Sequence, residues 1–118
     1  MAFADAVALT PIALLEKSAV SVATLAAVDG TNGNKFYANA KTLLRVKNAG
    51  GAPITVTVNT TRTVEGLAVA DATFTVAATT GDVVYTGFTD IFHQNAAGEV
   101  HVEFSSGASV TAQVIQLP

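Results

Sequence analysis

The chain contains no cysteine and no tryptophan, and only 13% of its 118 residues are charged. Without cysteine, a disulfide scaffold, a thiolate metal site and thiol catalysis are all excluded. Six basic residues against nine acidic ones give a net charge of −3. Nucleic-acid binding domains usually carry a basic surface, so we expect no nucleic-acid partner.

The sequence also lacks a long apolar run. No stretch approaches the roughly 18 consecutive apolar residues that a membrane-spanning helix needs, so we expect no membrane partner. The N-terminal residues are rich in alanine, but they have no basic region, and Asp5 and Pro11 interrupt them. We therefore expect no secretion signal in this segment.

Small and β-branched residues make up much of what is present. The chain has 22 alanines, 16 valines and 16 threonines, and half of its residues are hydrophobic. Valine and threonine suit the pleated surface of a sheet, and an apolar, weakly charged chain is not disordered. A surface with so little charge also suits a protein that associates with its own copies or with a larger assembly.

Short alternating segments separated by turn residues predict a series of strands. The clearest is Ile54–Asn59, in which valines and threonines alternate as in a half-buried antiparallel strand. About seven or eight such segments predict an all-β antiparallel β-sandwich, with the jelly roll as one form of it. The predicted strands are Ala19–Val28, Thr42–Asn48, Ile54–Asn59, Thr63–Val69, Thr73–Ala77, Asp82–Phe88, Glu99–Ser105 and Ala108–Leu117.

Residues 1–18 differ in pattern from the sandwich domain predicted over residues 19–118. We interpret them as an N-terminal arm or short helix, which is too short to be stable alone. Two interpretations of this segment stay open. It packs on its own domain, or it reaches across to a neighbouring subunit.

The residues that could carry chemistry are few. His101 and Glu103 share one face of a predicted strand, but a metal site would need a third ligand, so a solvated cross-strand pair is the favoured interpretation. His93 lies on a different element. The oxygen-rich loop Asp29–Asn34 lacks the carboxylates of a calcium loop and reads as a turn. We expect no catalytic residues, no metal and no cofactor, and hence a protein that is not an enzyme.

The stretch between Asp29 and Phe92 resembles a family of small all-β virion proteins of tailed bacteriophages, encoded near the major capsid protein. The resemblance follows the pattern N-G-N-x-F, T-L-L-x-V-x-N, P-I-T-V-T-V and V-x-G-L-A-V-x-D, which consists of strand and turn residues. These motifs lie within Asp29–Phe36, Lys41–Asn48, Pro53–Val58 and Thr63–Asp71.

This resemblance implies a capsid decoration, or cement, protein. Such proteins are made in the host cytoplasm, bind the outer surface of an icosahedral capsid and staple capsomers together without catalysis. The expected partners are the major capsid protein and copies of the chain itself, as a dimer or trimer. The alternative is a carbohydrate- or surface-binding sandwich of a phage fibre or a secreted protein.

The candidate contact residues come from the N-terminal arm and from aromatic residues in predicted loops. For each of them the competing interpretation is packing in the core of the domain. The candidates are Phe3, Val7, Leu9, Pro11, Phe36, Tyr37 and Phe92.

Overall fold

A computed structural model of the chain describes residues 6–13, 25–60, 63–68, 70–88 and 92–117. These residues form twelve strands, and no α-helix occurs among them. The strands are β1 (Val7–Ala8), β2 (Ile12–Ala13), β3 (Ala26–Ala27), β4 (Asn34–Tyr37), β5 (Thr42–Asn48), β6 (Ile54–Val58), β7 (Thr63–Val64), β8 (Leu67–Ala68), β9 (Ala72–Val76), β10 (Gly81–Thr86), β11 (Glu99–Phe104) and β12 (Val110–Gln116).

Ten of these strands form two mixed sheets that face each other as a β-sandwich. The first sheet has the order β1-β4-β11-β6-β9, and the second has the order β10-β5-β12-β2, with β3 also paired to β12. When the parallel pairs made by β1 and β2 are set aside, the orders β4-β11-β6-β9 and β10-β5-β12-β3 are antiparallel throughout. This is the double Greek-key order of a jelly roll.

The core lies between the two sheets and is built by strand alternation. In β6, Ile54, Val56 and Val58 are buried, whereas Thr55 and Thr57 face outward from the first sheet. Across the core, Leu44 and Val46 of β5 are fully buried in the same way. Period-two alternation with one apolar face is what a sheet packed on one side requires.

The segment from residue 6 to residue 13 closes one side of the sandwich. Strand β1 extends the first sheet by pairing in parallel with β4, and β2 extends the second sheet by pairing in parallel with β12. Leu9 lies between these two strands and is buried in the core. We call residues 6–13 the strap, since they link one edge of each sheet.

Three parts of the described chain differ from the sequence-based prediction. The first is β4, which was not predicted because the sequence before it is rich in glycine and asparagine. The second is Thr63–Val69, predicted as one strand, where β7 and β8 instead form a separate hairpin that turns at Glu65 and Gly66, both with positive φ. The third is the segment predicted as an arm or short helix, which supplies β1 and β2 to the sheets. The two sheets therefore contain ten strands rather than about eight, while the sandwich itself is confirmed.

Candidate binding surface

His101 lies at the centre of a polar network on the outer face of the first sheet. Its side chain is only 3% exposed, because the Asp29–Asn34 loop and Asn59 cover it. The Asn59 amide nitrogen lies 3.0 Å from Nδ1 of His101 and donates to Oε1 of Glu103 at 2.7 Å. Nε2 of His101 lies 2.9 Å from the carbonyl oxygen of Asn32.

This arrangement assigns a tautomer to His101. An amide nitrogen can only donate, so Nδ1 accepts from Asn59, and Nε2 carries the proton that it donates to Asn32. His101 and Glu103 do share one face of the sheet, as predicted, but the histidine is not solvated. The network fixes a loop on the sheet, which is a structural role.

The Asp29–Asn34 loop uses its side-chain oxygens to order its own main chain. Oδ1 of Asp29 accepts from the N–H groups of Thr31 at 2.8 Å and Asn32 at 3.1 Å. Oδ1 of Asn34 accepts from the N–H of Asp29 at 3.0 Å, while the Asn34 amide donates to the carbonyl of Val7 at 3.1 Å. Asp29 and Asn34 thus act as turn formers, as the turn interpretation predicts.

The strap contains three of the candidate contact residues. Val7 is 49% exposed, and Pro11 is half-buried in the bend between β1 and β2. Leu9 points into the core and presents little surface to a partner. Phe3, the fourth candidate in the N-terminal segment, lies outside the described residues.

The aromatic candidates divide between core and surface. Phe36 and Phe92 are buried, and each packs against Phe88 in an edge-to-face contact, with ring centroids 5.2 and 6.5 Å from that of Phe88. Tyr37 follows Phe36 on β4, so it points to the opposite face and is 56% exposed. Among the aromatic candidates, therefore, Tyr37 is the one available for contact.

Tyr37 lies at one end of the sandwich, where Glu99 on β11 lies opposite it and accepts a hydrogen bond from Asn95. The adjacent turn bonds to two other segments: the N–H of Ala38 donates to Gly98, and the N–H of Leu117 donates to Lys41. Leu117 is 41% exposed, and Ala40, Ala96 and Ala97 are exposed as well. We call this surface the Tyr37 end, defined as Tyr37, residues 39–41, residues 95–97, Glu99 and Leu117.

Sequence reasoning missed Leu117 as a surface residue, along with Leu67 and Val84. Leu67 is the most exposed large hydrophobic residue described, at 75%, and lies on the β7–β8 hairpin. Val84 faces outward from β10. Strand alternation predicts the orientation of Val84, since Val83 and Tyr85 on either side of it pack against the core.

The outer face of the second sheet is tied together by Arg45. Its guanidinium binds both carboxylate oxygens of Asp82, at 2.9 and 2.8 Å, and also donates to Gln113 at 3.2 Å. Hydrogen bonding from Arg45 holds the pKa of Asp82 below its ordinary value, and the positive charges of Arg45 and Lys47 add to this effect. The pair bridges neighbouring strands β5 and β10 and is part of the sheet rather than of a pocket.

A metal site or a membrane span is not evident in the described ranges. No group of three or more histidine, aspartate or glutamate residues among them is placed to hold a metal ion. In that same part of the chain, no helix is long and apolar enough to cross a membrane. Comparison with protein-family models, with curated proteins and with solved structures found no match to this chain.

Proposed function

We propose that this chain is a structural virion protein that binds the outer surface of an icosahedral phage capsid and joins neighbouring capsomers. The observation that carries the proposal is the Tyr37 end, where Tyr37 and Leu117 are exposed beside alanines on a surface whose two charges are of opposite sign. Tyrosine is enriched at the centres of protein interfaces, from which charged residues are depleted. The resemblance of the sequence to phage virion proteins supports the major capsid protein as the partner.

The jelly roll suits this role mechanically. Its core is continuous from one sheet to the other, so the loops at each end keep a fixed relation to one another. A rigid body of this kind can contact two capsid subunits at once and add buried area across their junction. Each contact can be weak, because it is repeated at many equivalent positions and two linked contacts reinforce each other.

The function is tested by co-sedimentation with empty heads of the phage that encodes the chain, assembled without this protein. The wild-type chain is expected to pellet with the heads and to saturate at a fixed ratio to the capsid protein. The substitution Tyr37→Ser is expected to weaken binding by about tenfold or more, as for a tyrosine at the centre of an interface.

Val84→Ser is the matched control, because Val84 and Tyr37 are equally exposed at 56% but lie on different surfaces. It is expected to bind heads like the wild type. A wild-type chain that stays in the supernatant at every concentration would overturn the proposal. If both substitutions weaken head binding equally, the Tyr37 end is not the contact surface.

A carbohydrate-binding module is the second candidate, and one observation favours it. The outer face of the first sheet has a shallow cavity of about 210 Å³, lined by Thr55, Thr57, Glu103, Phe104 and Ser105. Jelly rolls also occur as lectins, and hydroxyls and carboxylates can hydrogen-bond a sugar. Binding to a glycan array without heads, lost in Glu103→Ala, would favour this function over capsid decoration.

A further inference from the structure

The first sheet has an open edge, and what we infer from it does not depend on capsid binding. Strand β9 is the outermost strand on that side and pairs with β6. Its sequence, Ala-Thr-Phe-Thr-Val, has no charge and no proline. Natural edge strands are usually short, charged, bulged or covered, because their unpaired main-chain groups attract other strands.

The opposite side of the sandwich shows how this chain protects an edge. There the two-residue strands β1, β2 and β3 cover β4 and β12. No described segment covers β9 in this way, and Thr73 and Thr75 on it are exposed. Within the described ranges, β9 is therefore an uncovered edge strand.

The hydrogen-bond pattern shows which main-chain groups face outward. The N–H of Asn59 donates to His101, and the N–H of Ser105 donates to Thr55, so odd-numbered positions on and just after β6 bond to β11. Main-chain groups alternate sides along a strand, so Val56 and the other even-numbered residues of β6 bond to β9. Because Val56 is paired with Phe74, the N–H and C=O groups of Thr73 and Thr75 face the open edge.

The outward main-chain groups of one copy are complementary to the same groups of a second copy. If a second copy is placed antiparallel with its Phe74 opposite Phe74, Thr73 of each copy lies opposite Thr75 of the other. Each such pair can exchange two main-chain hydrogen bonds, which satisfies all four outward groups on each strand. Threonines also pair well across strands, and no like charges meet.

The side chains favour the same arrangement. Phe74 is half-buried at the margin of the core and stacks on Tyr85, with ring centroids 5.2 Å apart and planes within 7° of parallel. Two-fold pairing at Phe74 brings the two Phe74–Tyr85 stacks together on the core side of a continuous sheet. Half-exposed aromatic surface on each copy is then covered by the other.

We propose that the β9 edge is a homodimer interface, in which β9 pairs antiparallel with β9 of a second copy about a two-fold axis at Phe74. The first sheets of the two copies then form one continuous sheet across the axis. The interface is isologous, so it closes after two copies and does not propagate into a fibre.

Sedimentation velocity of the full chain over a concentration series tests the interface. The wild type is expected to sediment at twice the monomer mass of 12.0 kDa. The double substitution Thr73→Lys/Thr75→Lys places lysines opposite each other across the axis and is expected to weaken the dimer by about tenfold or more. Thr75→Pro removes one outward N–H and is also expected to yield monomers.

The matched control is Thr55→Lys/Thr57→Lys, which places the same charges on the same face but one strand further in. This variant is expected to remain dimeric. Far-UV circular dichroism and thermal melting identify which variants are folded, and a variant that is unfolded is replaced by Thr73→Lys alone. A monomeric wild type at the highest concentration, or dimers that the β9 variants leave intact, would overturn the proposal.

The register is tested by cross-linking, which the absence of native cysteine makes unambiguous. Thr73→Cys and Thr75→Cys chains are purified separately, mixed and oxidised. The proposed register places positions 73 and 75 about 5.5 Å apart between Cα atoms, within the range for a disulfide. The mixed 73–75 species is therefore expected to dominate, whereas a majority of 73–73 and 75–75 species would contradict the register.

The outcome is separable from that of the capsid experiment. If the chain is monomeric but still pellets with heads, the β9 dimer is excluded and the decoration function stands. If the chain is dimeric but does not bind heads, the decoration function is excluded and the β9 dimer stands.

Discussion

Gly33 shows how a single residue connects the strap, the Asp29–Asn34 loop and the first sheet. It has a positive φ of 77°, and the N–H of Val7 donates to its carbonyl oxygen at 3.1 Å. A Cβ at this position would overlap the carbonyl oxygen of Val102 on β11 and approach the His101 ring. Glycine is needed here both for its main-chain conformation and for the close contact that it permits.

We predict that Gly33→Ala destabilises the protein more than Gly66→Ala does. Both glycines have positive φ, but a Cβ at Gly66 would meet nothing within 4 Å. Gly66→Ala is expected to cost about 1 kcal/mol through main-chain strain alone, and Gly33→Ala about 1–3 kcal/mol more through overlap. Urea unfolding of the two variants measures the difference, and equal losses would contradict the close contact at Gly33.

Neighbouring residues also show what the sequence could and could not predict about the site. Phe36 and Tyr37 were both candidates for contact, yet one is in the core and the other on the surface. Strand alternation separates them, but only once β4 is recognised, and Asn34 and Lys35 give that strand no apolar period. The burial of His101 depends on a loop and on Asn59, which is 42 residues distant in sequence, so local patterns could not predict it.

At the scale of elements, the strap determines how one side of the sandwich is closed. The long strands were predictable, because Thr42–Asn48 and Ile54–Val58 alternate clearly between core and surface. Strands β1 and β2 have two residues each, which is too short for any period to be seen. Their positions follow from pairing with β4 and β12, which is tertiary information.

We predict that the strap contributes to stability through Leu9. Leu9→Ala removes a buried side chain from the core and is expected to lower the free energy of unfolding by about 2–5 kcal/mol. Val7→Ala, two residues earlier on the exposed surface, is expected to change it by less than about 0.5 kcal/mol. Chemical denaturation of both variants checks this, and a neutral Leu9→Ala would show that the strap is dispensable for the fold.

The Arg45–Asp82 pair joins β5 to β10 and makes stability depend on pH. The pKa of Asp82 is lowered in the folded state, so the pair stabilises the fold above the ordinary aspartate pKa of about 3.9. Its contribution is lost as the pH falls through the lower, folded-state pKa. Because both side chains are partly exposed, we expect it to be at most about 1 kcal/mol.

The Asp82→Asn variant tests this dependence. At pH 7 and low salt it is expected to unfold at a lower urea concentration than the wild type. The difference should shrink as the pH falls below the ordinary aspartate pKa, because Asp82 then becomes protonated in the folded wild type. A difference that is constant as the pH falls would show that the pair does not stabilise the fold through its charge.

For the whole molecule, the low charge has a consequence for how the chain would bind a capsid. The Tyr37 end contains one residue of each charge, Lys41 and Glu99, so it has no net charge and long-range attraction contributes little to binding there. We predict that affinity for empty heads changes by less than about threefold between 50 and 500 mM salt. Co-sedimentation at the two salt concentrations measures this, and a loss of several orders of magnitude would indicate a charged contact surface elsewhere.

The position of β12 has a consequence for how the protein is made. The last strand of the described chain lies inside the second sheet, where β5 flanks it on one side and β2 and β3 flank it on the other. While the ribosome still holds residues 110–116, the strap and β3 have no strand to join in that sheet. The second sheet therefore cannot be completed until residues 110–116 have left the ribosome, and a nascent chain stalled before Val110 would present the unfinished sheet to chaperones and proteases.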